Sequence, residues 1–94
     1  MQIKNSVALV TGGASGLGEA CVRNFIARGG KVSILDFAED RGQKIAHELG
    51  RDALFCMTDI TKESDVQAAV NQTAETFGAI HIAVNCAGVG VPAK

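Results

Sequence analysis

The chain is short of several things, and each shortage removes a class of function. No apolar run approaches the length of a membrane span: the opening MQIKNSVALV carries one lysine and then only the run Val7 to Val10, which is too short for a secretory leader as well. Charge of one sign is missing, with 9 basic residues against 10 acidic and a net charge of −1, so the basic footprint of a nucleic-acid binder is absent. The three cysteines, Cys21, Cys56 and Cys86, contain no C-x-x-C, which argues against both a zinc site and a disulfide framework. Scattered among apolar neighbours, they fit a reducing compartment, and the chain reads as cytoplasmic. Neither histidine resembles a metal ligand: His47 falls on a polar helix face, and His81 alternates with apolar residues in a strand pattern. Internal repeats, low-complexity segments and linker compositions are all missing.

What remains is an ordinary α/β composition, 47% apolar and 20% charged over 94 residues. A chain of this size forms one domain at most and buries about 60 to 65% of the surface its unfolded form exposes. Its organising stretch is VALVTGGASGLG, residues 7 to 18. A short apolar run bounded by Asn5-Ser6 is expected of a strand buried on both faces, and the spaced glycines Gly12, Gly16 and Gly18 follow where a helical pattern begins. Such a turn directs backbone N–H groups and the positive end of a helix dipole into one small space, which suits a phosphate. The spacing is G-x-x-x-G-x-G rather than G-x-G-x-x-G, and no Gly-Lys-Ser/Thr follows it, so a P-loop is excluded. Taken alone, the cluster fits a structural turn as well as a phosphate site.

The flanking chain alternates regularly. From Ser15, Leu17, Cys21 and Phe25 recur at i, i+4 and i+8, with Val22 and Ile26 widening the stripe, and Gly29-Gly30 closes the helix. Lys31 to Leu35 is a second strand, stopping at Asp36. Arg41 to Leu49 places Ile45, Ala46 and Leu49 at helical spacing, with Gly50 as the stop. Ala53 to Met57 is a third strand. Thr61 is expected to cap a helix whose inward positions are Val66, Ala69, Val70, Thr73 and Phe77, ending at Gly78. Ile80 to Asn85 is the fourth strand. The order β-α-β-α-β-α-β predicts an α/β fold, a Rossmann-type doubly wound parallel sheet; right-handed crossovers place strands two and three to one side of strand one, and with strand four on the other side the expected order is 3-2-1-4. Ligands of such sheets bind at the switch point between strands one and four. Residues 89 to 94 read as the start of a loop leading onward, so the portion is expected to be incomplete.

Several residues could serve that crevice. Asp36 stands 18 residues after Gly18, where a carboxylate can accept from both hydroxyls of an adenosine ribose and repel a 2′-phosphate; a solvated strand end is the plainer alternative. Ser15 could offer its hydroxyl to a pyrophosphate or cap the helix, and the two roles are compatible. Leu17 is expected in the core, meeting a cofactor only through its N–H. Asp59 could accept from an adenine amino group or cap the following helix. Asn85 reads as structural, tying neighbouring strands. Cys86, Ala87 and Gly88 make a small-residue segment over which an adenosine could lie. No histidine or basic residue stands near Cys86 in sequence, which argues against a nucleophile.

TGGASGLG at 11 to 18, Asp36 after an apolar strand, Asp59-Ile60-Thr61 and NCAG at 85 to 88 together resemble the amino-terminal half of the short-chain dehydrogenase/reductase family, whose own motif is T-G-x-x-x-G-x-G. The wording of the glycine turn and of VNCAGVGVPAK is most similar to the type-2 3-hydroxyacyl-CoA dehydrogenase, or hydroxysteroid dehydrogenase, branch. The resemblance implies NAD as cofactor, with Gly12, Ser15, Leu17 and Gly18 at the pyrophosphate, Asp36 at the ribose, Asp59 and Ile60 at the adenine, and Cys86, Ala87 and Gly88 along the adenosine. It implies a small-molecule substrate, no nucleic-acid or membrane partner, and a homo-oligomer, the family's usual tetramer. One departure is N-C-A-G in place of N-N-A-G. A larger one is that the family's catalytic serine and Y-x-x-x-K would lie downstream, and this sequence has no tyrosine.

Two readings of different class follow: the NAD-binding half of an oxidoreductase, inactive by itself, or a free-standing nucleotide-binding module without catalysis. A methyltransferase, with a similar sheet, lacks this glycine spacing.

Overall fold

A computed structural model describes residues 3–86. The elements are β1 (Val7–Thr11), α1 (Gly16–Ala27), β2 (Lys31–Asp36), α2 (Glu39–Leu49), a 3-10 turn at Gly50–Asp52, β3 (Ala53–Met57), α3 (Glu63–Phe77) and β4 (Ile82–Asn85). All strand pairs are parallel and the spatial order is β3-β2-β1-β4, as the alternation predicts. Thr11, at the end of β1, lies between Leu35 of β2 and Asn85 of β4. The carboxyl ends of the strands therefore meet at one rim.

Successive side chains of a strand point to opposite faces, and the two faces hold two cores. Ala8, Val10, Val32, Ile34 and Phe55 pack against Val22 of α1 and Ile45 of α2. On the other face Leu9, Leu35 and Cys56 meet Ala69 of α3. Full burial of an aliphatic side chain such as Ile34 or Val22 is worth about 1.5–3 kcal/mol, so these contacts hold the layers together. The α3 side also buries a polar group without loss: Thr73 Oγ1 lies 2.8 Å from Ser33 Oγ and donates to the Ala69 carbonyl at 2.7 Å. A buried hydroxyl that is hydrogen-bonded avoids the desolvation penalty of an unpaired one.

Four details differ from the sequence expectation. Leu17 is 53% exposed instead of in the core, because Gly18 and Val22 are the α1 residues turned to the sheet. The second helix begins at Glu39, two residues earlier than read. Thr61 does not cap α3, whose N-cap is Lys62 with no side-chain bond; the Thr61 hydroxyl instead donates to Asp59 Oδ1 at 2.6 Å. The fourth strand is shorter and starts at Ile82, with the preceding His81 ring accepting the Val7 amide at 3.0 Å.

Candidate functional site

The rim at the strand ends is drawn together by three backbone bonds that run just past the ladders. Gly12 N–H donates to the Leu35 carbonyl at 2.7 Å, Thr58 N–H to the Asp36 carbonyl at 2.9 Å and Cys86 N–H to the Thr11 carbonyl at 2.9 Å. The Thr11 hydroxyl donates to Asn85 Oδ1 at 2.8 Å, so Asn85 ties β4 to β1 as expected.

The glycine turn follows from one tight approach. Gly12 has φ 71°, a left-handed conformation that favours glycine. Its carbonyl accepts from Ser15 N–H at 3.1 Å and from the Ser15 hydroxyl at 2.7 Å. Ser15 is the N-cap of α1, and its Oγ also accepts from Gly18 N–H at 3.4 Å. A Cβ on Gly18 would stand 1.9 Å from the Gly12 carbonyl oxygen, so that glycine is demanded by the fold itself. Gly16 is different. A Cβ there would meet nothing within 4 Å, and no hydrogen bond among the described residues takes the Gly16 or Leu17 N–H. The turn thus presents unpaired helix N-terminal amides beside open space.

Asp36 closes the turn from β2. Its Oδ2 accepts the Ala14 N–H at 3.0 Å and its Oδ1 the Ala38 N–H at 2.9 Å. Each oxygen keeps a lone pair beyond that bond. The Ala14 carbonyl accepts from Arg41 Nε of α2, so both polar ends of the Ala14 residue are held. Arg41 is itself paired with Glu19 at 2.7 Å, and Glu19 with Arg23 at 2.8 Å, a link between α1 and α2. Hydrogen bonding from Arg23 holds the Glu19 carboxyl below its ordinary range.

Beside Asp36 a cavity of about 220 Å³ is lined by Gly12, Leu35, Asp36, Phe37, Thr58, Asp59 and Ile60. The Phe37 ring is 70% exposed and Ile60 43%, an apolar pair at the mouth of a site with two carboxylates. Asp59 Oδ1 accepts from the Thr61 N–H at 3.0 Å as well as from its hydroxyl, and that hydroxyl bond is the main cause of its lowered pKa. Asp65, in the first turn of α3, accepts the Asp59 N–H at 3.0 Å and so fixes the loop.

Four of the residues singled out from the sequence, Gly12, Asp36, Asp59 and Ile60, share this cavity, and Ser15, Leu17 and Gly18 form the adjoining helix start. Cys86 lies across β1 with its side chain in the α1-side core. Burial pushes its thiol pKa up. Ala87 and Gly88 lie outside the described residues. Sequence reasoning passed over Gly16, Phe37 and Arg41 as site residues. The first was visible in the glycine spacing and the second as an aromatic directly after Asp36, while Arg41 left no local signal. Among the described residues no group of three His, Cys, Asp or Glu side chains could hold a metal, and no helix is long and apolar enough to cross a membrane.

Residues 6–94 match the sequence profile of the short chain dehydrogenase family. The bovine (Bos taurus) 3-hydroxyacyl-CoA dehydrogenase type-2 is 44% identical over 92 residues, covering 98% of this chain and 35% of that protein. Zerumbone synthase of Zingiber zerumbet is 47% identical over 91 residues, 95% of this chain and 34% of its own. Among solved structures, the 3-ketoacyl-(acyl-carrier-protein) reductase of Brucella melitensis complexed with NADH superposes with a TM-score of 0.84 at 40% identity, covering 86% of this chain and 34% of the reductase. The chain spans about a third of the length of each of these proteins.

Proposed function

The chain belongs to the short-chain dehydrogenase family, and from that premise we propose that residues 1–94 form the NAD-binding part of an oxidoreductase that moves hydride between NAD and a secondary alcohol or ketone. The observation that carries this reading is the open space at Gly16. Gly18 is explained by packing and Gly12 by its φ, but nothing among the described residues requires a glycine at 16. A closely approaching group does. The free Gly16 and Leu17 amides and the α1 dipole suit a pyrophosphate there, and the spare lone pairs of Asp36 suit a ribose diol. The adjoining cavity, with Leu35, Phe37 and Ile60 among its lining residues, offers apolar surface for an adenine.

NAD, when bound, supplies the hydride chemistry. What these residues do is bind and orient: the turn is held rigid by Asp36, Ser15 and Arg41 before any ligand arrives, which lowers the ordering cost of binding. The proton transfer that accompanies hydride transfer needs a positioned acid or base. The family's tyrosine for that role is not among these residues, so the 94-residue chain is proposed to be inactive without a further portion carrying it. The substrate class we favour is a 3-hydroxyacyl-CoA, in keeping with the name of the bovine relative, or a hydroxysteroid-like alcohol, and we place the intact protein in the cytoplasm as a homo-oligomer.

Titration of NADH and NADPH into the full-length protein and its Asp36→Ala variant tests this. Asp36 should favour NADH, and its removal should weaken NADH binding roughly ten- to hundredfold, the equivalent of a charge-assisted hydrogen bond of about 1.5–3 kcal/mol, while narrowing the preference over NADPH. Equal affinity of the unaltered protein for both dinucleotides would remove Asp36 from the site. Dinucleotide binding without turnover of any alcohol or ketone would favour the non-catalytic module.

A further inference from the structure

The α1-side core brings two sulfurs together. Cys21, on α1, and Cys86, the residue after β4, are separated by 65 positions in sequence, yet their Sγ atoms lie 4.0 Å apart. Cys86 is buried, whereas Cys21 is half-buried and lines a cavity of about 410 Å³ with Val10, Ala20, Asn24, Phe25 and Val84. A disulfide needs sulfurs about 2.05 Å apart. Closing the gap of about 2 Å takes rotation of the thiols between staggered rotamers together with an approach of α1 toward the end of β4. The third thiol, Cys56, is on the opposite face of the sheet, beside Ser33 and Gln72, and cannot compete.

We propose that Cys21 and Cys86 are a dithiol modification site, closed to a disulfide by a hydroperoxide and reopened by a reducing dithiol, and that closure impairs the nucleotide seat. The second half rests on the NAD-binding reading above. In the first step the Cys21 thiolate attacks a peroxide oxygen; an S–O bond forms, the O–O bond breaks, and water or an alcohol leaves. In the second, the Cys86 sulfur attacks the Cys21 sulfenic acid, the S–S bond forms, and hydroxide leaves as water with the Cys86 proton. Two thiols are oxidised and one peroxide is reduced. Among the described residues Cys21 is the more open of the two and takes the oxidant, and the burial that raises the Cys86 thiol makes the second step slow.

Both ends of the bridge are mechanically tied to the glycine turn. Cys86 N–H is bonded to the Thr11 carbonyl, immediately before Gly12, and Cys21 lies one turn beyond Gly18, which abuts the Gly12 carbonyl with no spare room. Drawing α1 and the end of β4 together therefore displaces the turn.

The test uses the reduced full-length protein treated with hydrogen peroxide, followed by non-reducing peptide mapping and NADH titration. The expected result is a Cys21–Cys86 cross-linked peptide, reversed by dithiothreitol, absent in Cys21→Ser and in Cys86→Ser, with Cys56 still a free thiol. Cross-linking should weaken NADH binding about tenfold or more, and peroxide should leave NADH binding by Cys21→Ser unchanged. A peptide map with Cys21 over-oxidised and Cys86 free would overturn the site. A cross-link with unaltered NADH affinity would overturn its effect on the seat. Failure of the reduced protein to bind NADH would instead overturn the NAD-binding reading, and the peptide map would still decide whether the dithiol site exists.

Discussion

Asp36 Oδ2 accepts the amide N–H of Ala14 at 3.0 Å, so the residue proposed to read the ribose is also the residue that holds the glycine turn in shape. The two roles come apart on substitution. Asp36→Asn keeps one acceptor oxygen and loses the charge, whereas Asp36→Ala leaves both the Ala14 and the Ala38 amides without their acceptor. Asp36→Ala should cost about 1–3 kcal/mol of folding stability by urea denaturation, and Asp36→Asn distinctly less, while both weaken NADH binding. Equal stability of the two variants would show that the turn does not depend on this bond.

The motif glycines should respond in opposite ways to alanine. Gly18→Ala forces a Cβ against the Gly12 carbonyl at 1.9 Å and should lower stability by about 1–3 kcal/mol or prevent folding. Gly16→Ala meets nothing and introduces a better helix former, so stability should hold or rise slightly. Its NADH affinity should nonetheless fall about tenfold or more, since the methyl group occupies the space assigned to the pyrophosphate. Unchanged affinity in Gly16→Ala would mean that the space is not used.

Acid should weaken the fold through particular carboxylates. Glu19 is lowered chiefly by its hydrogen bond from Arg23, and Asp59 chiefly by the Thr61 hydroxyl. A depressed folded-state pKa contributes stability that is fully present above the unfolded value and is lost as pH falls through the folded one. Urea midpoints should therefore be flat from about pH 7 to 5 and decline from about pH 5 to 3, with a shallower decline in a Glu19→Gln/Asp59→Asn double variant. Parallel declines in the two proteins would assign acid sensitivity to other groups.

Residues 1–94 in isolation should self-associate. The edge strand β4 is flanked by two apolar cavities of about 410 Å³ each, one beside α1 with Cys21 and Phe25, the other beside α3 with Val66 and Val70. An exposed parallel edge with apolar ground on both sides recruits partners. Sedimentation of the isolated segment as a single monomeric species would contradict this.

Much of the fold was legible because each element carries its own period. The inward face of α3, Val66, Ala69, Val70, Thr73 and Phe77, follows directly from spacing, and the half-buried or buried state of all five agrees with it. Leu17 was misread because periodicity alone does not set a helix's rotation about its axis. The contact of Gly18 with Gly12 sets it, and one residue of offset turns a helix by about 100°. Thr61 has the residue type and place of a cap but does not serve as one, because Asp59 takes its hydroxyl in an Asx-type turn. In the site, Asp36 and Asp59 were legible as carboxylates at strand ends. Arg41 was not, since its bond to the Ala14 carbonyl spans 27 positions and depends on how α2 packs beside α1.

The most direct test of the nucleotide seat is a crystal structure of the full-length protein with NADH. The pyrophosphate is predicted over the Gly16 and Leu17 amides, the adenosine ribose hydroxyls on Asp36, and the adenine in the cavity between Phe37 and Ile60. A dinucleotide bound elsewhere, or with its ribose turned away from Asp36, would contradict the assignment.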